Sequence, residues 1–328
     1  MTISMKALLS AIVLSTCMLA GEASADALKL RVSSSSPPNS LDSVIAEKFN
    51  ENLKTKLGDG LVLEYFHSGT LGDETVHAQQ VRTGQIDVYP FGSDIVQMDK
   101  SFSVFDLPFL FKDRTVVAKV LDGDVGEKLR VSLREKAGLE LLAFGEIGFR
   151  QMTNNVRPIK TPADFKGMKI RVPGSPTRVL MFKTFGASPV NMSFSEVYVA
   201  LQSGTVDGQE NPLVDIVGQS FNEVQKYLSI SNHVYTPVTL TMNKAKFDSL
   251  TPEQKAAVKA AAHEAAVAVR EIGTQKDQEL IKQLRDGGKI QIAEIEVDSF
   301  KKAAAPLYDA VGKIAGADLV KATLEAVK

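Results

Sequence analysis

The feature that most constrains the fold is a regular alternation of strand-like and helix-like segments near the start of the chain. Residues 28–33 (LKLRVS) alternate apolar and polar side chains, as a half-buried strand does. Residues 40–57 then carry apolar side chains at helical spacing. Strands are predicted at 61–66 and 86–91, with a helix over 73–82 between them. Such a repeat is typical of a parallel sheet with crossover helices, so the sequence predicts an α/β fold.

A second alternation begins near residue 139 and continues through a strand over 168–172 and a helix over 195–201. Two α/β units in a chain of 328 residues predict two lobes. We expect the first lobe to comprise residues 26–147 and about 236–275, and the second to comprise residues 148–235 and about 276–328. In open α/β sheets, ligands bind beyond the carboxyl ends of the strands. We therefore expect a ligand cleft between the lobes, lined by loops at 33–38, 67–74, 91–94 and 208–212.

One long helix is predicted over residues 251–286. Thr251 suits the cap position, Pro252 suits the first helical position, and Gln254 completes a capping box. About 34 residues at about 1.5 Å each give a length of roughly 50 Å. Because that exceeds the width of a small lobe, we expect the helix to span both lobes. The alternative is a coiled-coil dimer.

The first 25 residues have the pattern of a secretory signal peptide. Lys6 precedes an uncharged apolar run over residues 7–20, and Ala23 and Ala25 flank Ser24 in an A-x-A cleavage pattern. We expect cleavage after Ala25 and a periplasmic protein. The alternatives are a short core helix and a lipid anchor on Cys17. Because Cys17 is the single cysteine of the chain, cleavage leaves no thiol to mispair in an oxidising compartment.

Charge and motif content exclude several classes of function. The chain has 38 Lys and Arg against 39 Asp and Glu, which gives no case for a nucleic-acid partner. It lacks the nucleophile elbow, the phosphate-binding loops and the zinc-protease motif. The four histidines are widely spaced, and a metal pair at His67 and His77 is the one alternative. We therefore expect no catalytic residue, no metal and no cofactor.

Two arginines stand in apolar, strand-like surroundings of the second unit. Arg150 lies in GFRQMT and Arg171 lies in GMKIRVP. A buried guanidinium must meet an anion, because an unpaired buried charge is costly, and its planar fork suits a carboxylate. Neighbouring strands could bring the two together as a ligand clamp. The alternative is a structural ion pair, although no acidic partner is evident in phase with either arginine.

Several stretches closely resemble the substrate-binding proteins of TRAP transporters, in order and over essentially the whole mature chain. The most specific is DGQENP at 207–212. The others are LGDE at 71–74, FDLPFLF at 105–111, GFR at 148–150, GMKIRVP at 167–173, FSEVYVALQSG at 194–204 and EVQKYL at 223–228. The resemblance implies a two-lobe periplasmic binding protein that closes on a small organic acid and delivers it to membrane subunits. We expect it to act as a monomer.

The resemblance also implies roles for individual residues of the second lobe. Arg171 matches the arginine that makes a bidentate salt bridge to the ligand carboxylate. Arg150 matches a second anion-binding position, Asn211 an amide near the same carboxylate, and Phe194 an aromatic that packs on the ligand. Ordinary core packing is the alternative for Phe194. The run PVNM at 189–192 departs from the common PTPM, so Asn191 adds a polar group near the cleft.

The first lobe should select the remainder of the ligand. Candidates on its strand exits and helix starts are Ser35, Asn39, Glu74, Ser93 and Asp94. Glu74 and Asp94 can accept hydrogen bonds from sugar hydroxyls and would repel a second carboxylate. This favours a uronate or aldonate over a C4-dicarboxylate. Alternatively, Asp94 caps a helix and Glu74 stabilises the positive end of one.

Other functions remain open at this point. The ligand could be a C4-dicarboxylate or another carboxylate bound by a receptor of the same family. The closed lobes could instead signal to a membrane kinase. An exported sugar-acid enzyme with Glu74 or Asp94 as its base is the third alternative.

Overall fold

The computed structural model describes residues 27–328, and the expected signal peptide with Cys17 lies outside them. The strands are β1 (Leu28–Ser33), β2 (Leu61–Phe66), β3 (Val88–Phe91), β4 (Leu139–Phe144), β5 (Gly148–Asn154), β6 (Lys169–Val172), β7 (Ser188–Asn191), β8 (Gly208–Pro212), β9 (Tyr227–Ile230), β10 (Tyr235–Thr236), β11 (Thr239–Asn243) and β12 (Gln291–Glu294). The helices are α1 (Leu41–Leu57), α2 (Glu74–Thr83), α3 (Arg114–Leu121), α4 (Asp124–Ala137), α5 (Pro176–Thr184), α6 (Val197–Gln202), α7 (Leu213–Gly218), α8 (Phe221–Val224), α9 (Lys244–Asp248), α10 (Pro252–Gly287), α11 (Val297–Ala315) and α12 (Ala317–Ala326).

Two sheets divide the strands between two lobes, which confirms the expected α/β fold. The first lobe is built on five strands in the order β2-β1-β3-β11-β4. The second is built on the order β12-β9-β5-β8-β6-β7, with β10 paired to β5. The strand near residue 139, which opened the second predicted alternation, therefore belongs to the first sheet.

Neither sheet is purely parallel, and the exceptions have a common cause. In the first sheet β11 runs antiparallel to both β3 and β4. In the second sheet β5 runs antiparallel to β8 and β9. Each reversed strand is the one that enters its sheet directly from the other lobe, β5 after β4 and β11 after β10. The expectation of parallel sheets was wrong because it treated the lobes as independent βαβ series.

The two crossing segments lie side by side and form the hinge between the lobes. The Gly145 amide donates to the Val238 carbonyl at 2.8 Å, and the Ile147 amide donates to the Thr236 carbonyl at 3.0 Å. These bonds tie the β4–β5 crossing to the β10–β11 crossing. Movement of one lobe against the other must therefore bend both crossings together.

The long helix α10 confirms the expected span across both lobes. It has 36 residues, with Thr251 and Gln254 forming the capping box. Its first half buries Val258, Ala262 and Val269 in the core beneath the first sheet. Its last turns place Leu284 in a core of the second lobe. Because both ends are packed within the chain, the buried face needs no second helix to cover it.

The helix crosses the hinge at Gly273, where a larger residue would not fit. A Cβ atom at Gly273 would lie 2.5 Å from Oε1 of Glu146, which stands in the β4–β5 crossing. Glu146 is held there by Arg114, whose Nη2 lies 2.7 Å away, and by the Tyr235 hydroxyl at 3.0 Å. The single interior glycine of α10 thus permits close contact between helix and hinge.

The C-terminal helices differ from the expected lobe boundaries. Residues 276–328 were assigned to the second lobe, and β12 does pair with β9 there. However, the end of α11 and the whole of α12 pack on the first lobe, where Val311, Ala315 and Val320 join the core that contains α3 and α4. The apolar face of these helices is covered by the first lobe, a pairing that helical spacing alone does not reveal.

Candidate ligand-binding site

A cavity of about 120 Å³ lies between the lobes. Its second-lobe wall carries side chains at the ends of β6 and β8, and its first-lobe wall carries the loops that follow β1 and β3. This is the edge at which open α/β sheets bind ligands. One water needs about 10–15 Å³ measured in this way, so the cavity offers room for a small molecule.

Arg171 lies near the end of β6 and has no acidic partner among residues 27–328. It is only 3% exposed. Its Nε and Nη2 donate to the Met192 carbonyl at 3.0 and 2.8 Å, and its guanidinium lies 5.9 Å from the centre of the Phe194 ring. Burial and then the nearby Arg150 lower its pKa to about 10, so it remains charged at neutral pH. A charge buried in this way calls for an anion.

Arg150 lines the same cavity but already has an acidic partner. Its Nε makes a salt bridge to Glu210, and its Nη2 also donates to the Glu210 carbonyl and to Oδ1 of Asn211, at 2.5 and 2.7 Å. The expectation that no acid was in phase with Arg150 is therefore wrong. In the register of β5 on β8, Arg150 pairs with Pro212. Glu210 is thus a diagonal neighbour on the same face of the sheet.

Glu210 is the centre of a buried ion cluster behind the cavity. Arg178 donates through Nη1 to both carboxylate oxygens at 2.8 Å, and Nε2 of His233 lies 3.2 Å from Oε2. Arg178 also reaches Asp106 at 2.6 Å. Burial by itself raises the pKa of Glu210, but Arg150 and Arg178 outweigh burial and hold that pKa well below its usual range. Glu210 therefore stays ionised and neutralises the charge that faces it.

The other expected second-lobe residues all line the cavity. Asn211 donates to Oε1 of Gln209 at 2.6 Å while accepting from Arg150. Asn191 donates to the Pro173 carbonyl at 3.0 Å. Phe194 packs edge-on against Phe221. These contacts fix the orientation of the three side chains around Arg171.

On the first-lobe wall, the structure places Ser35, Ser93 and Asp94 at the cavity. Ser35 shares a hydrogen bond of 2.8 Å with the hydroxyl of Tyr89. Asn39 lies on the exposed turn before α1 and does not line the cavity. Its expected position was wrong because Ser40, and not Asn39, is the residue that precedes the helix and turns inward.

Glu74 lines the cavity and connects the lobes directly. It stands in the first turn of α2, which is capped by Asp73. Its Oε2 accepts from the Ser193 hydroxyl at 2.7 Å, and its Oε1 accepts from the Phe194 amide at 2.9 Å. Both carboxylate oxygens are thus engaged by the opposite lobe, which differs from the expected contact with ligand hydroxyls.

Two further acids line the cavity and were missed in the sequence. Asp42 lies in the first turn of α1 and accepts from the Ser36 hydroxyl at 2.5 Å, while Asp215 lies in the first turn of α7. Burial raises the pKa of Asp42 to about 6. Burial, and then the proximity of Asp42, raise the pKa of Asp215 to about 7. The available signal was an acid in the first turn of the helix that follows a strand exit, and neither residue is among the candidates named from the sequence.

The arrangement can bind a small anion whose other end carries hydrogen-bonding groups. Arg171 supplies a positive charge that has no acidic partner among the described residues, while Asp42, Asp94 and Asp215 supply carboxyl groups. Within residues 27–328, no group of three or more metal-binding side chains is found. In the same range, no helix has the length and apolar character needed to cross a membrane.

His67 and His77, the alternative metal pair, each contact a neighbouring hydroxyl. Nδ1 of His77 lies 3.0 Å from the Ser33 hydroxyl in a buried position, and Nδ1 of His67 lies 3.0 Å from the Ser68 hydroxyl at the surface. Each imidazole thus has a hydroxyl partner, and the two rings serve separate local contacts.

A protein-family model and a curated relative both match this chain over most of its length. Residues 32–313 match the model of a family described as bacterial extracellular solute-binding protein, family 7. The chain is 39% identical over 286 residues to the 2,3-diketo-L-gulonate-binding periplasmic protein of Escherichia coli (strain K12). That alignment covers 86% of this chain and 87% of the relative.

Solved structures with the same fold contain bound acids. The sugar acid binding protein of Advenella mimigardefordensis, in complex with galactonate, superposes with a TM-score of 0.87 at 32% identity, covering 92% of this chain and 98% of that one. A TRAP periplasmic solute binding protein of Shewanella oneidensis, with bound succinate, superposes with a TM-score of 0.87 at 28% identity, covering 92% and 100%.

Proposed function

This chain belongs to bacterial extracellular solute-binding protein family 7, the periplasmic receptors of TRAP transporters, and we propose that its ligand is a polyhydroxylated monocarboxylate such as an aldonate or uronate. The family is described as solute-binding, and a solved neighbour is a TRAP periplasmic solute binding protein. The observation that carries the proposal is the contrast between the two cavity walls. Arg171 is buried without an acidic partner among the described residues, and the wall opposite carries Asp42, Glu74 and Asp94.

In this proposal Arg171 binds the ligand carboxylate through its guanidinium fork, in place of an internal salt bridge. Asn211 and Arg150 stand beside it, and Phe194 packs against the ligand. A second carboxylate at the far end of the ligand would lie near Asp42 and Glu74, whose negative charges would repel it. Hydroxyl groups at that end would instead exchange hydrogen bonds with the acids.

The receptor would work by closure about the hinge. A ligand that contacts both walls favours the closed arrangement, since a ligand shifts such an equilibrium only through its differential affinity. Bonds that join the lobes directly, from Ser193 and Phe194 to Glu74, add to the closed state. The closed monomer, in the periplasm, would then deliver its ligand to the membrane subunits of the transporter.

The experiment is a thermal-shift and calorimetric comparison of galactonate with galactarate, which differs by a second carboxylate in place of the terminal CH₂OH group. We expect galactonate to bind at least tenfold more tightly. At 100 times the dissociation constant, it should stabilise the receptor by about 2.7 kcal/mol. Galactose, which lacks the carboxylate, should not bind.

A C4-dicarboxylate is the second candidate, because Arg150 provides another guanidinium at the cavity and the Shewanella oneidensis structure holds succinate. Tighter binding of succinate or galactarate than of galactonate would select this candidate. A sensor role would require a kinase partner for the closed form, and turnover of a bound acid would indicate an enzyme.

A further inference from the structure

Asp94 differs from the other acids of the cavity in its hydrogen bonding. It is the second residue of a short 3-10 helix (Ser93–Gln97) that follows β3, and it is 9% exposed. Its Oδ1 accepts from the Gly92 amide at 3.0 Å. The residue lines the cavity, and its Oδ2 is buried without a hydrogen-bond partner among the described residues. A buried polar atom of this kind requires a partner.

The charges around Asp94 disfavour its ionised form. The titratable and charged groups that line the cavity around it are Tyr89 on β3, Asp42 on α1, Glu74 on α2, Arg150 on β5, Arg171 on β6 and Asp215 on α7. No cation of the described chain lies within salt-bridge distance of Asp94, and Arg150 is already paired with Glu210. Burial, and then the proximity of Glu74, raise the pKa of Asp94 to about 8.

The bonding pattern also fixes where a proton would reside. Since Oδ1 accepts from the Gly92 amide, the carboxyl proton belongs on Oδ2. A neutral acid has one O–H donor, and the described chain offers that donor no acceptor.

We propose that Asp94 meets the ligand as a neutral carboxylic acid and donates a hydrogen bond from Oδ2 to a hydroxyl or carbonyl oxygen at the end away from the ligand carboxylate. This inference rests on the proposed function, because it places a small organic acid in this cleft. It makes Asp94 a residue that selects ligands with an acceptor oxygen at that end. A ligand with an ammonium group there has no acceptor and is rejected.

Affinity should therefore depend on pH with a definite sign. The neutral form of Asp94 binds the ligand, so affinity falls as pH rises through the pKa of Asp94, by about tenfold between pH 7 and pH 9. Arg171, with a pKa of about 10, keeps its charge over most of this range. Asp42 and Asp215 titrate at lower pH. Because every variant compared retains both residues, their titration does not account for a difference in affinity between variants.

The test uses Asp94→Asn, because asparagine reproduces the neutral acid. Its carbonyl can accept from the Gly92 amide, and its NH₂ group can donate where the O–H group stood. With galactonate as the probe, calorimetry should give D94N an affinity within about threefold of wild type at pH 7. Between pH 7 and pH 9, D94N should lose clearly less affinity than wild type. Asp94→Ala, which removes the donor, should bind at least tenfold more weakly at pH 7.

Proton uptake provides a second readout. At pH 8, titrations in two buffers of different ionisation enthalpy should show that wild type takes up protons on binding galactonate and that D94N takes up fewer. The proposal is overturned if D94N loses more than tenfold at pH 7 while wild-type affinity is constant or rises with pH. That result would identify an ionised Asp94 that accepts from ligand hydroxyls.

Failure of this inference can be separated from failure of the proposed function. If wild type binds no sugar acid at any pH, the proposed function is wrong. The protonation of Asp94 is then read in the free receptor from its ¹³Cγ titration, assigned by the signal that D94N lacks. An Asp94 that is ionised at pH 7 in the free receptor overturns the inference, and a neutral one supports it.

Discussion

Arg150 and Arg171 lie in the same sheet, separated by one strand, and are equally buried at 3% exposure. Their electrostatic situations are opposite. Arg150 is paired with Glu210, whereas the one acceptor that Arg171 meets within residues 27–328 is a backbone carbonyl. Arg150 is therefore satisfied within the fold, and Arg171 is left to meet an anion from outside. The comparison teaches that burial of an arginine does not by itself identify a binding residue.

The largest expected effect comes from breaking the internal pair. Glu210→Gln would leave Arg150 and Arg178 without their shared countercharge in a buried site. Breaking a buried ion pair costs about 3–5 kcal/mol, so we expect the free energy of unfolding to fall by that amount in denaturant titrations. The matched control is Glu294→Gln, which removes the partner of Arg285 in an exposed pair. Glu294→Gln should lower the free energy of unfolding by about 1 kcal/mol or less. If both variants lost the same free energy of unfolding, the contrast between the buried pair and an exposed pair would be contradicted.

A smaller effect concerns the acids on the wall opposite Arg171. Burial raises the pKa of Asp94 in the folded state to about 8, from an ordinary value of 3.8, so the folded state holds a proton that the unfolded chain releases. Stability therefore falls as pH rises from about 4 to 8. Asp94→Asn removes this cost, so we expect it to stabilise the free receptor at pH 8 relative to wild type, and the gain should shrink as the pH falls toward about 4. At pH 3 the difference should largely disappear in thermal melts.

The stability that Glu210 contributes depends on pH in the opposite direction to that of Asp94. Its pKa is held well below the usual range, so the stability it contributes is present above about pH 4.5 and is lost as the solution becomes more acidic. Wild type and Glu210→Gln should therefore converge in stability at low pH. A constant gap across the acidic range would show that Glu210 does not act through its charge.

The smallest expected effect concerns the bonds that join the two walls. Glu74→Ala and Ser193→Ala each remove the hydrogen bond between these residues, and we expect a coupling energy of about 1 kcal/mol in a double-mutant cycle on galactonate affinity. The loss should appear as faster dissociation, since the bond exists only when the lobes are closed. Strictly additive effects would indicate that Glu74 and Ser193 act independently on binding.

The sequence predicted those features that depend on local pattern. The capping box of Thr251 and Gln254 marked the start of the long helix, and the apolar surroundings of Arg171 marked it as buried. The expectation that no acid stands in phase agrees with the structure for Arg171 and fails for Arg150, so local sequence does not separate the two arginines.

Features that depend on strand register could not be predicted. Glu210 is 60 residues from Arg150, and only the pairing of β5 with β8 brings them together. Asp42 and Asp215 carry no local signal that separates them from other first-turn acids, and only the fold brings both to the cavity. The packing of α12 on the first lobe follows from long-range contacts that helical periodicity does not specify.

The most direct test of the central claim is the affinity of Arg171→Ala for galactonate, measured by calorimetry beside Arg82→Ala, which changes an exposed arginine on α2. Loss of a charge-assisted, bidentate contact should weaken binding by about 100-fold or more, near 2.7 kcal/mol. Arg82→Ala should bind as wild type does, and both variants should melt cooperatively. If Arg171→Ala binds galactonate as tightly as wild type, Arg171 does not hold the ligand carboxylate and the account is wrong.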